Sequence, residues 1–258
     1  MSTTALITGA SSGLGAVYAN RFAARGHNLI LVARRGERLE TLATELRDTF
    51  NIEVRNIVAD LTSEAGIASI ETVLRNDVVD ILVNNAGMGP IGKTADLSDV
   101  DAAATLTLNV TALMRLTRAA LPAMRARKAG TIINVSSVLA FHALPVTTLY
   151  SATKAFVLTY SQGLAHELAE DGILIQAVLP AGTVTEFYEA AGVSISDFDP
   201  KVFMTAEQLV DAALAGLDRR EIVTLPSVHD VELWTNFETA RRGLFGGTQN
   251  GSPAQRYL

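Results

Sequence analysis

At 258 residues, 48% of them hydrophobic, the chain is long enough for one large domain or two small ones around a substantial core, and its composition excludes disorder. Its net charge of -6, from 21 basic and 27 acidic residues without a long run of either sign, leaves no nucleic-acid footprint, and the lack of cysteine removes disulfides, thiolate metal sites and cysteine nucleophiles together. The N-terminus lacks a basic region and no apolar run is long enough for a bilayer, so the expectation is a soluble cytoplasmic protein with no membrane or nucleic-acid partner.

Short β-branched apolar runs alternate with longer Ala/Leu-rich stretches of helical spacing along the chain. The apolar runs predict seven strands, at residues 5–8, 28–33, 53–58, 81–83, 131–135, 174–179 and 221–225. Between them the spacing predicts helices near residues 13–25, 36–48, 63–75, 98–126, 150–170 and 205–218. Strand alternating with helix argues for an α/β fold, a doubly wound parallel sheet with helices on both faces, in a single domain over residues 1–258. Two segments break the rhythm. Residues 186–204, with several aromatics and acids, read as a substrate lid, and the tail 243–258, rich in Gly, Asn and Gln, reads as a docking arm or a loose end.

Directly after the first predicted strand comes Thr8-Gly9-Ala10-Ser11-Ser12-Gly13-Leu14-Gly15, followed by a helical stretch. Glycines in this context allow a tight turn and close approach of backbone to phosphate, and the helix N-terminus favours negative charge, so Gly9, Ser11, Ser12, Gly13, Leu14 and Gly15 form a candidate pyrophosphate site. The second strand ends Leu31-Val32-Ala33-Arg34-Arg35. Without a carboxylate to bind ribose hydroxyls, and with two guanidiniums placed to accept a 2'-phosphate, this ending favours NADP over NAD; solvated charges at the start of a helix are the alternative. Farther on, Leu149-Tyr150-Ser151-Ala152-Thr153-Lys154-Ala155-Phe156 sets a tyrosine and a lysine four apart, on one helical face. A nearby ammonium favours the phenolate, so the pair can serve as a general acid/base; by spacing alone it can equally be an exposed lysine beside a half-buried tyrosine.

With TGASSGLG, the NNAG of Asn84–Gly87, the pair Ser136-Ser137 and YSATK in order along the chain, the sequence resembles the short-chain dehydrogenase/reductase family over essentially its whole length. The resemblance implies a Rossmann-type seven-stranded sheet and an oxidoreductase that moves a hydride between nicotinamide and a carbonyl or secondary alcohol, with transfer of the pro-S hydride. It implies Tyr150 as the acid/base and Lys154 as its ammonium partner and the holder of the nicotinamide ribose. Ser137 then hydrogen-bonds the substrate oxygen, while Ser136 points into the helix-sheet packing. Asn109 matches the asparagine that shapes the long fourth helix and joins a proton relay through water and Lys154. Asp60, with Leu61 beside it, matches the adenine-binding position. Asn84, Asn85, Ala86 and Gly87 match the segment along the adenosine ribose. Pro180, Val184 and Thr185 match the segment near the nicotinamide amide, where Ala181 departs from the usual glycine and Gly182 follows it.

No metal site is expected: His166-Glu167 begins like a zinc-protease motif, but Glu170 stands where the second histidine is required. His142 reads as an exposed loop histidine or one that reaches the substrate. Met88-Gly89-Pro90, Leu139 to Leu144, and Phe187, Tyr188, Phe198, Phe203 and Met204 are the expected substrate walls, and their apolar character favours a hydrophobic ketone, aldehyde or secondary alcohol. Family members form dimers or tetramers through helices that correspond to residues 98–126 and 150–170. An NADP-binding sensor without turnover is the competing reading.

Overall fold

The computed structural model describes residues 3–187, 194, 196 and 198–258. The strands are β1 (Thr4–Thr8), β2 (Asn28–Ala33), β3 (Val54–Val58), β4 (Ile81–Asn84), β5 (Gly130–Val135), β6 (Ile173–Val178), β7 (Thr183–Val184), β8 (Met204–Thr205) and β9 (Val223–Thr224). Seven of them form one parallel sheet in the order β3-β2-β1-β4-β5-β6-β9. The order reverses between β1 and β4, which opens a crevice at their carboxyl ends. The short pair β7 and β8 lies apart as a two-stranded sheet whose strands bracket the segment 186–204 expected to be a lid.

The helices are α1 (Gly13–Ala24), α2 (Gly36–Phe50), α3 (Glu64–Asn76), α4 (Asp99–Leu106), α5 (Leu113–Arg127), α6 (Thr148–Glu167), α7 (Ala206–Asp218) and α8 (Val231–Gly247). Alternate residues of each strand feed two cores, as period-two side chains must. Ala5 and Ile7 of β1 pack with Tyr18 and Phe22 of α1, Leu39 of α2 and Leu214 of α7, whereas Leu6 faces Ile70 of α3, Leu116 of α5 and Leu164 of α6. Both faces of the sheet are therefore covered, which is why its strands read as continuous apolar runs.

The predicted strands and helices fall within a few residues of the observed ones, with three informative differences. The last strand is only Val223–Thr224, because Arg220 takes a left-handed conformation (φ 61°) and Glu221 still closes α7 by donating its N–H to the Gly216 carbonyl. The helix expected over 98–126 is interrupted by a π-helical segment, Thr107–Ala112, that contains Asn109. Residues 231–247, for which no element was predicted, form α8, so the expected tail begins inside a helix.

Two compact units divide the chain, Met1–Ser227 and Val228–Leu258. The first contains the whole sheet and α1 to α7; the second contains α8, none of whose residues is buried, and a single 3-10 turn at Gln255–Tyr257. Among the described residues no helix is long and apolar enough to cross a membrane.

Candidate active site

The turn after β1 is built for close approach. Gly9 (φ 68°) and Gly13 (φ 54°) occupy left-handed backbone, and a Cβ on Gly15 would stand 2.3 Å from the Gly9 carbonyl oxygen. Thr8 ties this turn to the end of β4: its hydroxyl accepts from the N–H groups of Asn85 (3.0 Å) and Ala86 (3.1 Å), and its carbonyl accepts from the Asn85 amide at 2.9 Å. At the start of α1, Ser12 makes no side-chain cap bond and the first turn has no acid, so the helix presents N–H groups and positive dipole to an anion. The residues present therefore fit a pyrophosphate.

At the end of β2, Arg34 and Arg35 are exposed. Arg35 reaches the glycine turn, with Nη2 2.6 Å from Ser12 Oγ and Nε 3.2 Å from Ser11 Oγ. The Asp60 carboxyl is held below its ordinary range mainly by the Thr62 backbone N–H, with the Thr62 hydroxyl and the Arg34 charge adding to it. Asp60 Oδ1 also accepts from the Thr62 hydroxyl at 2.8 Å, which fixes the turn ahead of α3, and Leu61 beside it is buried.

Lys154 is buried in α6. Its Nζ donates to the Val135 carbonyl at 2.8 Å and lies 5.6 Å from the centre of the Tyr150 ring. Burial brings its ammonium down to about 8. Tyr150 is half-buried, and its ring packs against Phe187 with centroids 5.6 Å apart. Gly89 makes this possible, since a Cβ there would stand 2.5 Å from Tyr150 Cδ2 and 3.0 Å from Phe187 Cζ. At Gly87 a Cβ would stand 3.4 Å from both Lys154 Nζ and Asn109 Oδ1, so these two side chains face one another across the glycine.

Asn109 is fully engaged: Oδ1 accepts from the Met88 N–H at 3.0 Å, and Nδ2 donates to the Met88 carbonyl at 2.7 Å and to Thr153 Oγ1 at 3.0 Å. Its amide thus fixes the segment after β4 against α6. Ser137 follows β5 as the N-cap of a 3-10 turn, accepting from the Leu139 N–H at 3.1 Å, while its own proton points at the Pro180 carbonyl across a long 3.5 Å. Ser136 donates to the Lys154 carbonyl at 2.8 Å and is buried in the helix-sheet packing, as its alternation with Ser137 predicts.

Asn84, expected along the cofactor ribose, has its side chain elsewhere. Its amide donates to Thr117 Oγ1 and Asn134 Oδ1, in a buried chain that continues to Ser161, because the last residue of β4 turns its side chain toward α5 and α6. Beyond β6, Thr185 lies against the glycine turn, 3.4 Å from the position a Gly13 Cβ would take, and Val184 beside it is exposed. Among the described non-glycine residues only Asn51, Lys128 and Arg220 have positive φ, so Ala181 needs no glycine. His142 is exposed, and Tyr188 lies outside the described residues. Sequence reasoning missed Thr8, Thr153 and Arg38, and it treated Glu186 only as part of a lid. Arg38 lies one helical turn beyond Arg35 on α2, a spacing that could have flagged it.

A family model described as short chain dehydrogenase matches residues 3–193. The very-long-chain 3-oxoacyl-CoA reductase-A of Danio rerio is 34% identical over 207 residues, which are 79% of this chain and 65% of that protein. The chain thus spans less than two thirds of that relative's length. Among solved structures, a short-chain dehydrogenase from Sphingobium yanoikuyae in complex with NADPH is 46% identical with a TM-score of 0.95, covering 99% of this chain and 100% of the other. The bulky-bulky ketone specific alcohol dehydrogenase from Comamonas testosteroni is 44% identical with a TM-score of 0.91, covering 99% and 98%.

Proposed function

The chain belongs to the short-chain dehydrogenase family, and on that premise we propose that it is an NADPH-dependent reductase of ketones whose carbonyl is flanked by bulky apolar groups. The observation that carries the reading is the buried Lys154 ammonium 5.6 Å from the centre of the Tyr150 ring. An arrangement that keeps a cation out of water beside a phenol suits proton transfer, for which a surface ion pair has no need.

Bound NADPH supplies the hydride. The turn residues Gly9, Ser11, Ser12, Gly13, Leu14 and Gly15 would hold its pyrophosphate, and Arg34 and Arg35 would hold its 2'-phosphate. Asp60 and Leu61 would take the adenine, Asn85, Ala86 and Gly87 the ribose side, and Pro180, Val184 and Thr185 the carboxamide. Lys154 commits one proton to Val135, which leaves two for ribose hydroxyls. As negative charge grows on the substrate oxygen, Ser137 donates a hydrogen bond from a proton otherwise spent on a contact at the limit of bonding distance. Tyr150 then gives its proton to that oxygen, and the Lys154 charge stabilises the phenolate left behind. Asn109 acts by fixing Met88 and the wall around Tyr150.

The substrate assignment is supported by the apolar surroundings of Tyr150, with Phe187 on its ring, and by exposed Phe141 and Leu144 after the Ser137 turn. The likeness to a bulky-ketone enzyme at 44% identity points the same way. The cysteine-free composition suits a reducing cytoplasm, and the stacked, partly exposed Phe156 and Tyr160 of α6, centroids 5.4 Å apart, support assembly as a homodimer or homotetramer. Sedimentation at monomer mass would remove the assembly from this reading.

The test is a panel of dialkyl and diaryl ketones followed through loss of reduced-cofactor absorbance, with NADPH and NADH in parallel. Turnover is expected for bulky ketones with NADPH. Tyr150→Phe should lower kcat by about 10²- to 10⁴-fold while leaving NADPH affinity nearly unchanged. NADPH binding without turnover on any ketone would favour a sensor instead.

A further inference from the structure

Glu186 directly follows the segment β7–Thr185, and each of its carboxylate oxygens is held by a different guanidinium. Arg35 Nη1 lies 2.8 Å from Oε2, and Arg38 Nη1 lies 2.6 Å from Oε1. The same Arg35 grips Ser11 and Ser12 of the glycine turn. A carboxylate of the chain itself thus occupies part of the cation cluster that β2 and α2 offer to a phosphate. The next residue, Phe187, lies against the Tyr150 ring, and Gly89 leaves room for both rings. Two consecutive side chains therefore touch opposite ends of the site, one at the arginines and the other at the acid.

We infer that Glu186 is an internal competitor for the cofactor's 2'-phosphate, and that its displacement draws Phe187 away from Tyr150, so that only the phosphate-bearing cofactor uncovers the acid for substrate. The inference rests on the NADP reading. A carboxylate brings one negative charge to the two guanidiniums; a phosphate monoester brings close to two, with three acceptor oxygens, and outcompetes it. NAD has only a hydroxyl at that position and leaves the latch closed. The three side chains are 43%, 51% and 46% exposed for Arg35, Arg38 and Glu186, so the ion pairs are solvated and open readily. Because Glu186 and Phe187 are covalent neighbours, a shift of one backbone segment moves both.

The probe is 2',5'-ADP, which carries the 2'-phosphate but no nicotinamide, with 5'-ADP as the control. In a Trp234→Phe background, Phe187→Trp places the single indole beside Tyr150, and its emission reports the position of that side chain. Emission is expected to change with 2',5'-ADP and not with 5'-ADP. Calorimetry on the otherwise unaltered chain should show that Glu186→Gln binds 2',5'-ADP about fivefold tighter, the loss of two exposed ion pairs, with 5'-ADP affinity unchanged. Combined with the reporter, Glu186→Gln should give an emission spectrum without ligand that already matches the 2',5'-ADP-bound form. Binding of 2',5'-ADP without a spectral change, or equal or weaker binding by Glu186→Gln, overturns the latch and leaves the NADP reading standing. Failure of the unaltered chain to prefer 2',5'-ADP over 5'-ADP overturns the cofactor reading, and the latch with it.

Discussion

Lys154 meets its carbonyl partner in the interior, and its proton is correspondingly easy to lose. Its folded value of about 8 lies below the ordinary lysine value, so between about 8 and 10.5 the unfolded chain binds more protons than the folded one. Stability of the cofactor-free protein should therefore gain a rising contribution from this residue with pH across that window, and the cost of burying the charge is felt in full below it. Activity should move the other way on the proposed mechanism, in which Lys154 stabilises the Tyr150 phenolate, because its ammonium disappears as pH passes about 8. We expect kcat/KM for NADPH, which reports groups of the free enzyme, to fall about tenfold per pH unit above that point. A profile level to about pH 10 would mean that the lysine charge is not required in the free enzyme. The approach of Lys154 to the Tyr150 ring was legible because a local motif sets the two residues four apart on one helical face. The Arg35–Glu186 contact was not, because it joins residues 151 apart whose types are common on any surface.

Among the described ion pairs that join one element to another, the one between α3 and α5 is the most buried. Arg115 grips Glu71 with two parallel bonds, Nε to Oε1 at 2.9 Å and Nη2 to Oε2 at 2.8 Å, and Glu71 is only 10% exposed. The guanidinium holds the Glu71 carboxyl below the usual range. Arg115→Met would leave that carboxylate to the longer, exposed Arg75 contact at 3.5 Å, at a cost of about 2 kcal/mol, or roughly 5 °C in Tm for a chain of this size. Because a lowered carboxyl value stabilises above the unfolded value and ceases to do so as pH falls through the folded one, the gap between the two proteins should shrink in acid. Thermal melts at neutral and acid pH check both, and a gap that persists undiminished in acid would show that packing of the arginine stem matters more than its charge. At this scale the sequence was nearly sufficient, since buried strands and amphipathic helices impose their own periods. Its periods did not show the π-helical segment at Thr107–Ala112, within which the Asn109 side chain binds Met88, a partner outside the helix.

For the whole molecule, the two cores draw their buried residues from β1 to α7, and every residue assigned to cofactor or chemistry lies in Met1–Ser227. Helix α8 was illegible for a related reason: none of its residues is buried, so no core imposes an apolar period on it, and Gly243, Gly246 and Gly247 look like loop composition. What it does carry are large exposed apolar side chains, Val231, Leu233, Leu244 and Phe245. A chain ending at Ser227 loses none of the buried apolar residues of either core, so its folding free energy should be nearly that of the full chain. We expect it to melt cooperatively within a few degrees of the full-length protein and to keep its affinity for NADPH, measured by cofactor fluorescence. A truncated chain that melts early, or binds NADPH much more weakly, would show that the first unit depends on residues 228–258 for its stability.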